Sequence, residues 1–418
     1  MLTGLLRARL RDLHLYASLL FGAIFVFAGL TGVAIAWTPE LDGALNPGLL
    51  HSRGAAGQAD VAPTPLQAQA AVDRLAGAPG YGKPSMLMLP YHADEVYVAW
   101  YRKPNKDKGS FDMDVSRQVM LDRYTLDILG ERNYGEFGLS RELVMPTLFQ
   151  LHRYLFAGDV GKTVVGISGL LLTVTSLLGL ALWWPKLTLA SLRKSLTVRG
   201  AVTSRQFNYS FHRASGFFMT PVLAVLGFTG LAMNLPDWVR PAVAAVATLA
   251  PNGKLANGPA AGRQPISVEA ALLAAQQRFP QGRLSRVALG SAKTPYEIRL
   301  RQAGEVREGD GSTRVSVDAF SGELLRVRDP LTAASGDTFM NWQFPLHSGE
   351  AFGMAGRVLV SFSGLTPLLF MVTGLVLWLG RRAMHRKARA AATTAAVASV
   401  KKVASTAQIA HTESCENV

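Results

Sequence analysis

Four histidines stand at matched points of a repeated pattern. His14 is followed by Gly29, Thr31 and Gly32, and His212 is followed at the same spacings by Gly227, Thr229 and Gly230. His152 is followed by Gly158, Gly161, Lys162, Gly169, Gly179 and Trp183. His347 is followed by Gly353, Gly356, Arg357, Gly364, Gly374 and Trp378, at a constant offset of 195 residues. Imidazole is a common metal ligand. Two imidazoles approaching an iron from opposite sides supply the axial ligands of a b-type haem, whose attachment needs no covalent cysteine. The chain has no Cys-x-x-Cys-His stretch, and its single cysteine, Cys415, lies in the C-terminal tail.

Two plainer readings compete with haem. A histidine at a helix end can simply face headgroups or a backbone carbonyl. A zinc site is the other, but neither pair has a nearby cysteine or carboxylate cluster at familiar spacing. Asp159 and Glu350 lie near His152 and His347 and make a poor tetrahedral set. His51, His92, His385 and His411 have no repeat partner and read as exposed or locally bonded. Gly158, Gly161, Gly353 and Gly356 are expected to clear space for a flat porphyrin, with Gly22, Gly29 and Gly227 doing the same for the other pair. Arg153, Arg213 and Arg357 suit haem propionates as well as interfacial anchoring. Trp37, Trp183, Trp184 and Trp378 fit an aromatic belt.

The elements that must position these residues are four apolar runs, from about Leu15 to Trp37, Val160 to Trp184, Phe217 to Leu235 and Val358 to Leu379. Only 17% of the residues are charged and 49% are hydrophobic. Each run approaches the roughly 20 helical residues that span a bilayer. The first is too long, and lacks a small-x-small cleavage site, for a signal peptide. Arg7, Arg9 and Arg11 precede the first run. Lys186, Arg193, Lys194, Arg199 and Arg205 lie between the second and third, and Arg381, Arg382, Arg386, Lys387 and Arg389 follow the fourth. These flanks are expected on the cytoplasmic side. They explain the formal charge of +14 without a nucleic-acid partner.

The expected order is therefore 1–37 as inner N-terminus and first span, 38–145 as an outer domain, and 146–184 as an edge helix and second span. A basic connection (185–206) and third span (207–235) follow. The rest comprises a second outer domain (236–345), an edge helix and fourth span (346–380), and a basic, mobile tail (381–418). Pro65 and Pro265 open helices in the outer domains. Strands are predicted around Val96–Arg102, Val115–Asp122, Tyr296–Arg301 and Arg314–Ala319. Turns are predicted at Tyr124–Asp127 and Phe320–Glu323. Stretches rich in Gly, Ala and Pro near 54–63 and 248–264 read as joints. The unit of helix, α+β domain and returning helix occurs twice, as in a duplication.

The segments LHRYLFAGDVGKTVVGISGLLLTVTSLLGLALWWP, FHRASGFFMTPVLAVLGFTG and LHSGEAFGMAGRVLVSFSGLTPLLFMVTGLVLWL resemble the transmembrane signatures of the PepSY-associated membrane proteins. That family includes iron-uptake-regulated inner-membrane proteins and ferric-siderophore reductases. The resemblance covers about residues 10 to 382, and the outer units resemble PepSY-like domains. It implies an internally duplicated bundle of four transmembrane helices with two periplasmic α+β domains. It also implies a multi-pass protein of the bacterial inner membrane with both termini cytoplasmic.

The implied activity is that of an oxidoreductase carrying two b-type haems, which reduces ferric siderophore in the periplasm and releases Fe(II). His14 and His212 receive the inner haem, His152 and His347 the outer one, and no further catalytic residue is named. Helices of this length put the two irons more than roughly 20 Å apart. Without a Gly-x-Gly-x-x-Gly signature, the donor is expected to be a membrane quinol or a cytoplasmic-side reductase. The chelate is expected to dock between the two outer domains. FDMDV, from Phe111 to Val115, receives no assignment. The alternatives are an electron conduit to a periplasmic redox protein, a transporter, or a PepSY-type modulator of proteolysis. A transporter is disfavoured by the scarcity of ionisable residues in the runs. The chain has neither His-Glu-x-x-His nor Gly-x-Ser-x-Gly.

Overall fold

The computed structural model describes the backbone of residues 4–54, 57, 59–105 and 110–416. It describes their side chains apart from 103–105, 110–114, 396 and 399–416. The side chains of Phe111 to Asp114, His411 and Cys415 are therefore outside the described residues. The chain opens with α1 (Gly4–Ile35), α2 (Thr38–Leu45), α3 (Pro47–Leu50) and α4 (Pro65–Ala76). Strands β1 (Met86–Met88), β2 (Tyr97–Asn105), β3 (Ser110–Leu121) and β4 (Ile128–Tyr134) follow. Next come α5 (Val144–Tyr154), α6 (Gly158–Trp183), α7 (Leu189–Leu196) and α8 (Arg205–Asn234). The second half continues with α9 (Pro236–Ala244), α10 (Val268–Arg278), β5 (Arg283–Ala288), β6 (Tyr296–Arg301), β7 (Thr313–Val317) and β8 (Leu324–Arg328). It closes with α11 (Ser335–Ser348) and α12 (Gly353–Glu416).

Among the described residues four helical stretches are long and apolar enough to cross a membrane: α1, α6, α8 and Glu350–Ala395. The protein is thus a membrane protein with a separate antiparallel sheet. The helices outrun the apolar runs, so His14 and His212 lie inside α1 and α8 and do not start them. His152 and His347 are carried by the separate helices α5 and α11. Helix α12 runs on through the tail to Glu416. Its alanine-rich composition explains this, because alanine is the strongest helix former.

Two compact units are present. One comprises Met1–Gly22, Leu178–Thr220 and Leu368–Val418; the other comprises Ala23–Leu177 and Pro221–Pro367. The second unit holds the sheet. Helix α4 starts with a capping box, in which Thr64 and Gln67 exchange hydrogen bonds, and Pro65 occupies the first turn. In α10 the Ser267 hydroxyl accepts from the Ala270 N–H. Both helices bury one apolar stripe: Ala68, Ala71, Val72 and Leu75 in α4, and Val268, Ala271, Leu272 and Ala275 in α10. These stripes share a single core with Leu87, Tyr97, Val119, Val287, Ile298 and Val315 of the sheet.

The strands of the two outer segments form one eight-stranded antiparallel sheet. Its order is β4-β3-β2-β1-β5-β6-β7-β8. Strand β1 pairs with β5, with Leu87 opposite Val287. Each would otherwise present an unpaired edge, and their pairing removes both. Helices α4 and α10 meet over the same junction, where the Glu269 N–H donates to Gln69 Oε1 at 3.1 Å.

The predicted turns both form, and the same device holds each. Asp122 Oδ1 accepts from the Tyr124 and Thr125 N–H groups, and its Oδ2 accepts from Arg53 N–H at 2.6 Å. Asp318 Oδ1 accepts from Phe320 and Ser321, and its Oδ2 accepts from Gly258 N–H at 2.6 Å.

Candidate functional site

In the unit containing the sheet, α5 and α11 bring His152 and His347 together, with ring centroids 6.2 Å apart and planes at 60°. Each imidazole reaches back to a threonine on a spanning helix. His152 Nδ1 lies 3.0 Å from the Ala28 carbonyl and 3.1 Å from Thr31 Oγ1. A carbonyl can only accept, so Nδ1 carries the proton and Nε2 keeps its lone pair. His347 Nδ1 lies 2.8 Å from Thr229 Oγ1, whose own proton goes to the Val225 carbonyl. Both histidines lie outside the four spans. Burial pushes His152 down to about 4 and His347 down to about 3, so both rings are neutral at physiological pH.

The other unit brings together His14 and His212, with ring centroids 6.5 Å apart and planes at 86°. Thr373 plays the threonine part here. Its Oγ1 donates to the Leu369 carbonyl and lies 2.8 Å from His212 Nδ1. The Phe370 ring centroid is 5.1 Å from that of His212.

Both pairs fit axial ligation of haem iron. Metal–imidazole bonds of about 2 Å, with the donor nitrogen about 1.1 Å from its ring centre, separate two opposed ring centroids by roughly 6 Å. A hydrogen bond at Nδ1 is the usual way in which a protein orients a ligating imidazole. The rings are also closely backed by glycine. A Cβ at Gly32 would lie 3.1 Å from His152 Cε1, one at Gly230 3.4 Å from His347 Cε1, and one at Gly179 3.3 Å from His14 Cε1. Beside His152, the Arg153 Nε is buried without a hydrogen bond, the state expected of a cation awaiting a carboxylate. Among the described residues no group of three or more His, Cys, Asp or Glu side chains is placed to hold a metal ion.

Cβ atoms added at Gly161 and Gly356 would lie 1.7 Å from the Tyr154 carbonyl oxygen and 2.1 Å from that of Gly349. These glycines permit the tight turns from α5 into α6 and from α11 into α12, aided by positive φ at Gly158 and Gly353. Gly29 and Gly227 serve helix contact, lying against the backbones of Gly364 and Gly169. Gly22 faces Met371.

The other arginine candidates are committed elsewhere. Arg357 pairs with Glu40 at 2.8 Å and lies over the Trp37 ring. Arg213 donates to Ser195 Oγ and the Trp183 carbonyl. His51 and His92 pair with Asp94 and Asp60, each at 3.0 Å, as local partners. Sequence reasoning noted Thr31 and Thr229 only as repeat markers and overlooked Thr373. The matched spacing of Thr31 after His14 and Thr229 after His212 was the available signal. Residues 11–381 match the family described as PepSY-associated TM region. A comparison with curated proteins finds no match.

Proposed function

The chain belongs to the PepSY-associated transmembrane family, and from that premise we propose that it is a di-haem oxidoreductase of the bacterial inner membrane, reducing ferric siderophore in the periplasm. The observation that carries this reading is the twice-occurring imidazole pair, with ring centroids 6.2 and 6.5 Å apart. A bound b-type haem supplies a one-electron iron couple whose potential follows from its axial ligands and burial. His14 and His212 would hold one group, and His152 and His347 the other. Thr31, Thr373 and Thr229 keep the Nε2 lone pairs of His152, His212 and His347 available, and the apolar helices keep water from the rings. Each ferric chelate takes up one electron, and the resulting Fe(II) binds hard oxygen ligands less tightly. The chain's own residues then need only bind and orient the chelate, because no covalent bond of the scaffold breaks.

The reading includes an internal duplication, supported by the offset of 195 residues and by the like turns at Asp122 and Asp318. It also includes cytoplasmic termini and a periplasmic sheet, supported by the basic flanks. Electrons would enter from a membrane quinol or a cytoplasmic-side reductase. The test is anaerobic addition of a panel of ferric siderophores to dithionite-reduced, desalted protein while the haem spectrum is followed. The expected result is rapid reoxidation with stoichiometric Fe(II) trapped by ferrozine. Haems that stay reduced with every chelate but reoxidise with a periplasmic protein extract would replace the reductase with an electron conduit.

A further inference from the structure

Strands β5 to β8 place arginines directly opposite one another. Arg286 faces Arg299, Arg299 faces Arg314, and Arg314 faces Arg328. Like charges directly opposed across a sheet are destabilising. The same transverse row continues through β1 to β4 as Met88, Val98, Met120 and Gly130. The fold therefore accommodates an uncharged row at this level, and the basic half calls for a separate explanation. Arg299 lies between Ile298 and Leu300, whose side chains enter the core. It consequently points to the face opposite α4 and α10.

An ordinary solvated basic face does not describe these residues. The side chains of Arg286, Arg299 and Arg307 are only 25%, 13% and 21% exposed. All three converge on one carboxylate, with Asp310 Oδ2 at 3.3, 3.7 and 4.0 Å respectively. Arg299 Nη1 and Arg307 Nε are buried without a hydrogen bond. Glu297 acts on Arg314 and Glu350 on Arg307, while Arg328 has its own partner in Asp337. Burial and then the neighbouring arginines push Arg299 down to about 8. Glu305 also acts on Arg307, but the three guanidiniums share Asp310 as an ion-pair partner and keep donor nitrogens unused, an arrangement suited to a planar oxyanion. The Arg307 guanidinium stacks 4.2 Å from the ring centroid of Phe344, three residues before His347 on α11.

We propose that Arg286, Arg299 and Arg307 form a binding site for a free, carboxylate-rich anion on the face of the sheet turned away from α4 and α10. Resting on the reductase reading, the substrate class is then an anionic ferric chelate bearing carboxylates, held beside the helix that carries His347. Haem propionates are the other source of carboxylate chemistry, and the experiment separates the two.

Citrate and ferric citrate are titrated calorimetrically into detergent-solubilised full-length protein at low ionic strength, with a cationic trishydroxamate chelate for contrast. Haem content is measured on the same samples. The expected result is citrate binding that weakens about tenfold or more in Arg286→Gln and Arg299→Gln and falls steeply with salt. Arg299→Lys should retain part of it, and Arg326→Gln, at an arginine that donates to the Gly253 carbonyl, should match wild type. Absence of citrate binding to the wild type overturns the proposal, as does equal binding by folded Arg299→Gln. Loss of haem from Arg299→Gln with unchanged citrate affinity also overturns it, in favour of propionates. Arginine-dependent citrate binding by protein that carries no haem would uphold the anion site and defeat the reductase reading.

Discussion

His347 Nδ1 lies 2.8 Å from the Oγ1 of Thr229, a residue on a different helix. The threonine hydroxyl donates to the carbonyl of Val225 in its own helix, so its lone pair accepts from the imidazole. The contact fixes both the ring orientation and the nitrogen left for a ligand. Replacing Thr229 with valine keeps the shape and removes the acceptor. Haem affinity at the His152–His347 pair should fall about 10- to 100-fold, read as haem transfer to apomyoglobin. Thr229→Ser should restore it. Unchanged retention in Thr229→Val would mean that the hydroxyl does not orient the ligand.

The ring contacts also assign partners. His14→Ala and His212→Ala should remove the same low-spin spectral component, and His152→Ala and His347→Ala should remove the other. The warrant is the pairing of rings at 6.5 and 6.2 Å. Redox titration followed by absorbance resolves the components. Loss of one component by both His14 and His152 variants would contradict the pairing.

Close helix contact gives a stability prediction. A Cβ at Gly227 would lie 2.6 Å from the Gly169 carbonyl oxygen and 2.9 Å from the Thr173 backbone nitrogen. Backbone cannot yield as a flexible side chain does, so Gly227→Ala should cost about 1–3 kcal/mol. Gly374→Ala meets nothing within 4 Å and is the control. A thermal unfolding scan in detergent should show a lowered Tm for Gly227→Ala alone.

Acid sensitivity follows from the turn at Asp318. The Ser321 N–H, with those of Gly258 and Phe320, holds its carboxyl down at about 2 against an ordinary 3.8. A depressed folded value means that the group stabilises the fold fully above its unfolded value. That contribution is lost as pH falls from about 4 towards 2. Asp318→Asn should flatten the stability profile across that window and leave its slope near neutrality unchanged, measured by chemical denaturation followed through tryptophan fluorescence.

Hydropathy made the spans legible, and the spacing of His14, His152, His212 and His347 made the candidate pairs legible. The partners of those histidines were harder to read. Thr373 is far from His212 in sequence, and only helix packing brings them within 2.8 Å. The joining of the two outer segments left still less trace. Strand β1 is three residues long, Met86–Met88, and its partner β5 lies some two hundred residues away, so no local periodicity announces it. The arginine row was hidden for a related reason. Arg286, Arg299, Arg314 and Arg328 become neighbours only through strand register. The turn role of Gly161 and Gly356 was equally hidden, because it depends on the approach of the Tyr154 and Gly349 carbonyls.

The most direct test of the account is haem stoichiometry. Pyridine haemochrome analysis on purified full-length protein, with protein concentration set by amino-acid analysis, counts b-type haem per chain. If each of the two imidazole pairs holds one iron, as proposed, the ratio is two, falling to one in either His14→Ala or His347→Ala. A wild-type ratio at or below one in fully reconstituted protein would contradict the di-haem account.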